Sequence, residues 1–267
     1  MPAENTRPLL FEPPATPRAH VAGMAAYEEL YRRADQDPEG YWARRAKELI
    51  SWSRPWDKVM DCDMDSARIG WFTGGRLNVS HNCLDRHVEK GLGDKTAIIW
   101  QGEPEDDVRR ISYAELLTEV GRFANALKKL GVDRGDRVAL YMPMVAELAV
   151  AMLACTRIGA IHSAVFAGFS ASSLQNRIQD CEAKVLVTAD AVLRAGRKIP
   201  LKGNVDEALA GCPSVTACVV LRRAGNDIAM TEGRDIWWHD LMADPDLSAL
   251  CPCEDMDSED TLLLLYT

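Results

Sequence analysis

The sequence predicts an α/β protein: a doubly wound, mostly parallel sheet with flanking helices, preceded by an extended N-terminal arm with helices. Short apolar runs at 97–100, 137–142, 161–166, 184–188 and 215–221 alternate with stretches of helical spacing. Runs without polar alternation are the mark of strands buried on both faces. Repeated strand–helix–strand units then require parallel pairing through right-handed crossovers. Residues 1–22 differ, because Pro2, Pro8, Pro13, Pro14 and Pro17 remove amide donors and bias their neighbours away from helix.

Taken in order, a first helix is expected over Ala25–Ala34. A second starts with Asp37 as N-cap and Pro38 at the first helical position, and runs through Trp42, Ala46 and Leu49. Trp52 and Trp56 follow in a loop, Ser51–Trp56, whose aromatic density predicts packing on the main body. The strand at 97–100 gains a partner near Val108–Ile111. Ser112 and Glu115 form a capping box, and Leu116, Val120, Phe123, Leu127 and Leu130 recur at helical spacing until Gly131 closes the element. Further helices are expected at 145–158, 170–179 and near 205–210. The last run, Thr261–Thr267, reads TLLLLYT and predicts a strand inside the sheet, with an apolar patch and a tendency to aggregate.

The composition narrows the function. With 267 residues and 47% hydrophobic content the chain can bury a real core in one large or two modest domains. Lys and Arg number 31 against 40 Asp and Glu, and a net charge of −9 disfavours nucleic acid as a partner. No run approaches the roughly 20 apolar residues of a membrane span, and residues 1–17 hold no signal-peptide core, so a cytoplasmic location without a membrane partner is expected. The eight cysteines are scattered and make no C-x-x-C pair. Cys251 and Cys253 form a C-x-C that His239 and Asp240 do not complete into a tetrahedral set, so no metal site is assigned.

No dinucleotide-binding or phosphate-loop glycine pattern, no nucleophile elbow and no zinc-protease motif occurs, and no residue is assigned a catalytic role. His162 reads as a hydrogen-bonded core residue of a strand. His81 and His87, flanking Asp85 and Arg86, read as a structural network in a polar loop. The stretch Trp71–His87 is dense in glycine, asparagine and aromatics, which predicts a tightly packed irregular segment whose Asn and Asp side chains replace missing backbone partners. Within it, Asn78-Val79-Ser80 matches the glycosylation pattern by chance or for structural reasons. In Leu193–Lys198, Arg194 and Arg197 stand three apart around Ala195 and Gly196; if the segment is a turn, both guanidinium groups and its free amides can converge on a phosphate.

Five blocks, in order, carry a family resemblance: WFTGGRLNVSHNCLDRH, YMPMVAELAVAMLACTRIGAIHSAVFAGFSA, TADAVLRAGRKIPLK, GRDIWWHDLM and MDSEDTLLLLYT. Together they resemble the N-terminal portion of AMP-forming acetyl-CoA synthetases, members of the adenylate-forming superfamily. Propionyl-CoA synthetases are also similar. The resemblance implies the incomplete N-terminal domain of such an enzyme, with residues 1–94 as arm and helical or loop region and 95–267 as the first part of the AMP-binding domain. It implies a ligase converting acetate, ATP and coenzyme A to acetyl-CoA through acetyl-AMP. The ATP and Mg sites, the acetate pocket and the catalytic lysine are expected beyond Tyr266-Thr267, where the family's phosphate loop would begin. The 267 residues alone are therefore expected to be inactive.

The part implied to lie within the chain is the coenzyme A nucleotide site. There the turn of Arg194, Ala195, Gly196 and Arg197 would hold the 3′-phosphate, and Phe166, Ala167 and Gly168 would lie against the adenine. Ala195 and Ala167 stand where the family often has glycine, which predicts strain of about 1–2 kcal/mol wherever φ is positive. His81 replaces a tyrosine common in that loop. A non-catalytic fragment with a coenzyme A or nucleotide pocket is the main alternative. An unrelated doubly wound binding domain would carry a phosphate loop or acidic cluster after its first strand, and neither follows Ile99 or Met142.

Overall fold

A computed structural model of the protein describes residues 19–266. Most of the proline-rich arm expected at 1–22, and Thr267 of the final run, lie outside the described residues. The chain divides by its contacts into two units, residues 1–49 and 50–267. Within the first, α1 (Gly23–Gln36) and α2 (Pro38–Leu49) cover the two expected helices. The Asp37 carboxylate accepts the Gly40 amide at 3.0 Å, the N-cap bond that the Asp-Pro pair predicts.

The second unit opens with a hairpin that the sequence reading missed, β1 (Lys58–Asp63) and β2 (Arg68–Thr73). Trp52, Trp56 and Phe72 pack their rings within 4.9–5.5 Å of one another, so the tryptophan loop does dock on this unit. After β3 (Arg76–Leu77) the segment expected as a polar loop is instead helical: a π-helical turn, His81–Asp85, continues into α3 (Arg86–Glu89). Asn78 makes this possible. Its Oδ1 accepts the His81 amide at 3.2 Å, while its Nδ2 donates to the carbonyls of Thr156, Arg157 and Glu254. Asn78 is buried, so the glycosylation pattern there is structural.

β4 (Thr96–Gln101) and β5 (Val108–Ser112) pair antiparallel before α4 (Tyr113–Lys129). Both halves of the Ser112–Glu115 capping box are present. At the other end Gly131 has φ +82°, and the Val132 and Gly131 amides donate to the Leu127 and Lys128 carbonyls, a Schellman closure. Mid-helix, Gly121 lies so close to the chain at Ala249 that a Cβ would meet that residue's carbonyl oxygen at 1.9 Å.

The remaining elements alternate as expected: β6 (Arg137–Tyr141), α5 (Ala146–Arg157), β7 (Ile161–Ala164), α6 (Ala171–Cys181) and β8 (Val185–Ala189). A second hairpin, β9 (Ala191–Arg194) with β10 (Arg197–Pro200), precedes α7 (Lys202–Leu209), β11 (Ala217–Leu221), β12 (Asp235–Trp237), α8 (Trp238–Met242), β13 (Met256–Asp257) and β14 (Leu263–Leu264). The main sheet has the order β12-β11-β8-β6-β7-β14, all parallel. Val138, Leu140, Val185, Val187 and Val219 are buried in its central strands, with Phe123 of α4 stacked on Trp238 of α8 at 4.1 Å.

Two expectations need correction here. The TLLLLYT strand does not lie inside the sheet: only Leu263 and Leu264 pair, with β7, and they form the edge, leaving Leu262, Leu263 and Leu265 exposed. His162 is a buried strand residue, but its Nδ1 lacks a hydrogen-bond partner among the described residues, as does the Ser163 hydroxyl. Burial pushes the His162 pKa down and keeps the ring neutral.

Candidate functional site

Parallel sheets deliver their binding loops at the carboxyl ends of their strands. In this chain a cavity of about 460 Å³ lies there. Its walls are the end of β4 (Trp100, Gln101), the segment after β6 (Met142–Val145), the turn after β7 (Phe166–Gly168), the β9 side of the second hairpin, and Arg223 after β11. The lining is largely apolar. Arg223 lies 4.9 Å from the Trp100 ring centroid, and Trp100 donates its indole N–H to the Met144 carbonyl at 2.8 Å.

The turn after β7 is held from below. The buried Tyr141 donates its hydroxyl to the carbonyls of Ala167 and Phe169, at 3.1 and 2.7 Å. The Phe169 amide closes the turn on the Phe166 carbonyl at 3.0 Å. A Cβ at Gly168 would meet the Phe166 ring at 2.4 Å, so this ring keeps its place only with glycine there. Phe166 itself is 63% exposed, an aromatic face open to a planar ligand. Ala167 is not among the residues of positive φ, so the strain expected at that position is absent.

The opposite wall hangs on one carboxylate. Asp190, buried between β8 and β9, accepts the amides of Ala191, Arg223, Ala224 and Asn226 at 2.8–3.1 Å. Burial raises its pKa, but these donors outweigh it and hold the carboxyl below the usual carboxylate range. One side chain thus joins the ends of β8 and β11.

The second hairpin ends in the expected turn. Arg194 and Arg197 are directly opposed in register, with Ala195 at φ +50° and Gly196 at φ +70° between them. Two consecutive positive-φ residues are what a two-residue type I′ turn requires. The arginines therefore share one face of the hairpin, and among the described residues neither makes an ion pair or side-chain hydrogen bond. The expected free amides are not free: the Ala195 and Gly196 amides donate to the Glu103 carboxylate at 2.6 and 2.8 Å. Of the residues singled out in the sequence, the cavity gathers Arg194, Phe166, Ala167 and Gly168; Ala195, Gly196 and Arg197 lie beyond its lining on the turn. Glu103, Trp100, Asp190 and Arg223 were missed. No local pattern in the sequence singles them out.

Ala195 in the left-handed region carries a cost that glycine avoids. Ala195→Gly is expected to raise the unfolding free energy by up to about 1 kcal/mol, the freer unfolded chain offsetting part of the relief. Urea denaturation of the two proteins checks this, and a lower midpoint for the glycine variant would remove the strain argument.

Residues 84–267 match the family model of the AMP-binding enzymes, and residues 27–83 match that of the acetyl-coenzyme A synthetase N-terminus. The chain belongs to the AMP-binding enzyme family. It is 51% identical to an acetyl-coenzyme A synthetase of Rubrobacter xylanophilus over 100% of this chain and 40% of that one. It is 52% identical to that of Magnetococcus marinus, over 90% of this chain and 37% of the relative. Among solved structures, the acetoacetyl-CoA synthetase from Streptomyces lividans superposes with a TM-score of 0.81 at 25% identity, covering 92% of this chain and 37% of that one. The chain thus spans about two fifths of the length of these proteins. The parallel sheet flanked by helices is the fold that this solved structure shares with the chain.

Proposed function

We propose that this chain is the N-terminal portion of an AMP-forming acetate:CoA ligase, and that it supplies the site for the nucleotide end of coenzyme A. The observation that carries the reading is the hairpin: two arginines are opposed in register, Arg194 lining an apolar cavity and Arg197 on the turn beyond it, and the same cavity is lined by Phe166, Ala167 and Gly168. Arginine forks suit a phosphate monoester, and an exposed ring beside small residues suits a purine. Acetate is preferred over propionate as the acyl substrate because the similar proteins are acetyl-coenzyme A synthetases by name. The reading includes a cytoplasmic enzyme acting on small molecules, acetate, ATP and coenzyme A, and not on nucleic acid. Its support is the net charge of −9 and, among the described residues, the lack of any helix long and apolar enough to cross a membrane.

In this reading residues 95–267 form the first part of the AMP-binding domain, and ATP with Mg is bound by residues outside these 267. Among the described residues no group of three or more His, Cys, Asp or Glu side chains is placed to hold a metal ion, so no step is assigned to one. In the full-length enzyme, Arg194→Ala and Arg197→Ala are each expected to raise the KM for coenzyme A by roughly ten- to hundredfold. The effect on acetate-dependent exchange of pyrophosphate into ATP is expected to be far smaller, and the preference for coenzyme A over its dephospho form should narrow. Unchanged discrimination between those two thiols in both variants would return the pair to an ordinary solvated surface.

A further inference from the structure

We propose that Glu103 is a resident anion of the Arg194–Arg197 hairpin, occupying the amide concavity of the turn until a more highly charged ligand displaces it. The proposal rests on the reading of this hairpin as a phosphate site. Successive amides at a positive-φ turn point to one side and form an anion-binding hollow. Glu103 fills it with both oxygens, Oε1 accepting from Ala195 at 2.6 Å and Oε2 from Gly196 at 2.8 Å. The contact is tertiary, joining the loop after β4 to a hairpin more than ninety positions away.

The arginines make sense of the carboxylate. Like charges directly opposite one another on a hairpin repel unless an anion lies nearby, and Arg194 and Arg197 are such a pair. Glu103 brings one negative charge to the turn. A phosphate monoester near neutral pH brings close to two, with three acceptor oxygens, and competes for the same donors. Glu103 is exposed, so its carboxylate can swing into water without becoming a buried unpaired charge. The arrangement favours ligands carrying a dianion at this point over singly charged ones.

A rival account makes Glu103 a tether that only stabilises the hairpin, and the charge-neutral Glu103→Gln separates the two. Adenosine 3′,5′-bisphosphate is titrated calorimetrically into the 267-residue protein and its Glu103→Gln and Arg194→Ala variants, while backbone amide resonances of Ala195 and Gly196 are followed. Glu103→Gln is expected to bind roughly tenfold more tightly than the parent, a difference of about 1.4 kcal/mol. In the parent both amide resonances should move on saturation, and Arg194→Ala should weaken binding. Binding by Glu103→Gln alone also supports the proposal. Binding to the parent that depends on Arg194 but is equal or weaker in Glu103→Gln overturns it and leaves the hairpin reading standing. Binding to neither overturns both. Should Glu103→Gln fail to fold, Glu103→Asp, which leaves its charge one methylene short of the amides, decides by the same comparison.

Discussion

Replacing Asp235 with asparagine is expected to lower the unfolding free energy by about 3 kcal/mol, near the low end of the cost of breaking a buried ion pair. Lys202 begins α7 with its side chain 2% exposed, and its ammonium lies 2.7 Å from an Asp235 side chain that is fully buried. Asp235 also accepts the Thr231 amide at 2.8 Å and pairs with Arg234 at 2.6 Å. The variant leaves Lys202 with Asp206 at 2.7 Å and the Ala229 carbonyl at 3.1 Å as partners, which is why the low end applies. Burial raises the Asp235 pKa, but the bonds from Arg234, Lys202 and the Thr231 amide outweigh it and the net shift is downward. A depressed carboxyl contributes stability that is present above its unfolded pKa and lost as pH falls through the folded one. The gap between parent and variant in chemical denaturation should therefore be full at neutral pH and close in acid, below the usual carboxylate range. A gap that persists unchanged into that range would mean that the charge of Asp235 is not what stabilises the fold.

The second large effect is expected at Asp85, whose two oxygens accept both terminal nitrogens of Arg157 at 2.8 Å. Arg157 ends α5 with its side chain 4% exposed, and it also donates to Ser80 and to the Cys251 carbonyl. One guanidinium thereby joins α5, the π-helical turn and the segment near Cys251. Asp85→Ala is expected to cost about 3–5 kcal/mol, because a buried cation is left without its counter-charge. Asp85→Leu combined with Arg157→Met should recover a large part of that loss, since apolar replacement of a whole pair is often close to neutral. Thermal and urea melts of the single and double variants check both statements. A double variant no more stable than Asp85→Ala would place the stabilisation in the further bonds of Arg157 and not in the pair.

What was legible in the sequence is what repeats locally. The capping box of α4, the glycine that closes it and the apolar runs of β6, β8 and β11 are each written within a few residues, and they stand as expected within a residue or two. Between Arg194 and Arg197 the local sequence allowed a turn or an extended strand, and only the family resemblance implied the turn that Ala195 and Gly196 adopt. The π-helical turn at 81–85 was not legible, since its polar residues read as loop until Asn78 is seen to bond across to the end of α5. Glu103 was not legible either, because nothing in a local window tells a carboxylate which amides it will meet more than ninety residues away. The edge position of β14 depends on sheet order, which no local pattern encodes.

That order also sets a sequence of events in time. β6 lies at the middle of the sheet, with β8 added on one side and β7 on the other, and the outer side of β7 gains a partner only at Leu263–Leu264. During synthesis at about 5–20 residues per second, roughly a hundred residues separate β7 from that partner, an interval of several seconds or more. Throughout it, a strand edge carrying His162 and Ser163 stays open, and open edges are where chains join one another by mistake. The two paired leucines of β14 then cover that edge at His162 and Ser163, and the open edge passes to β14 itself.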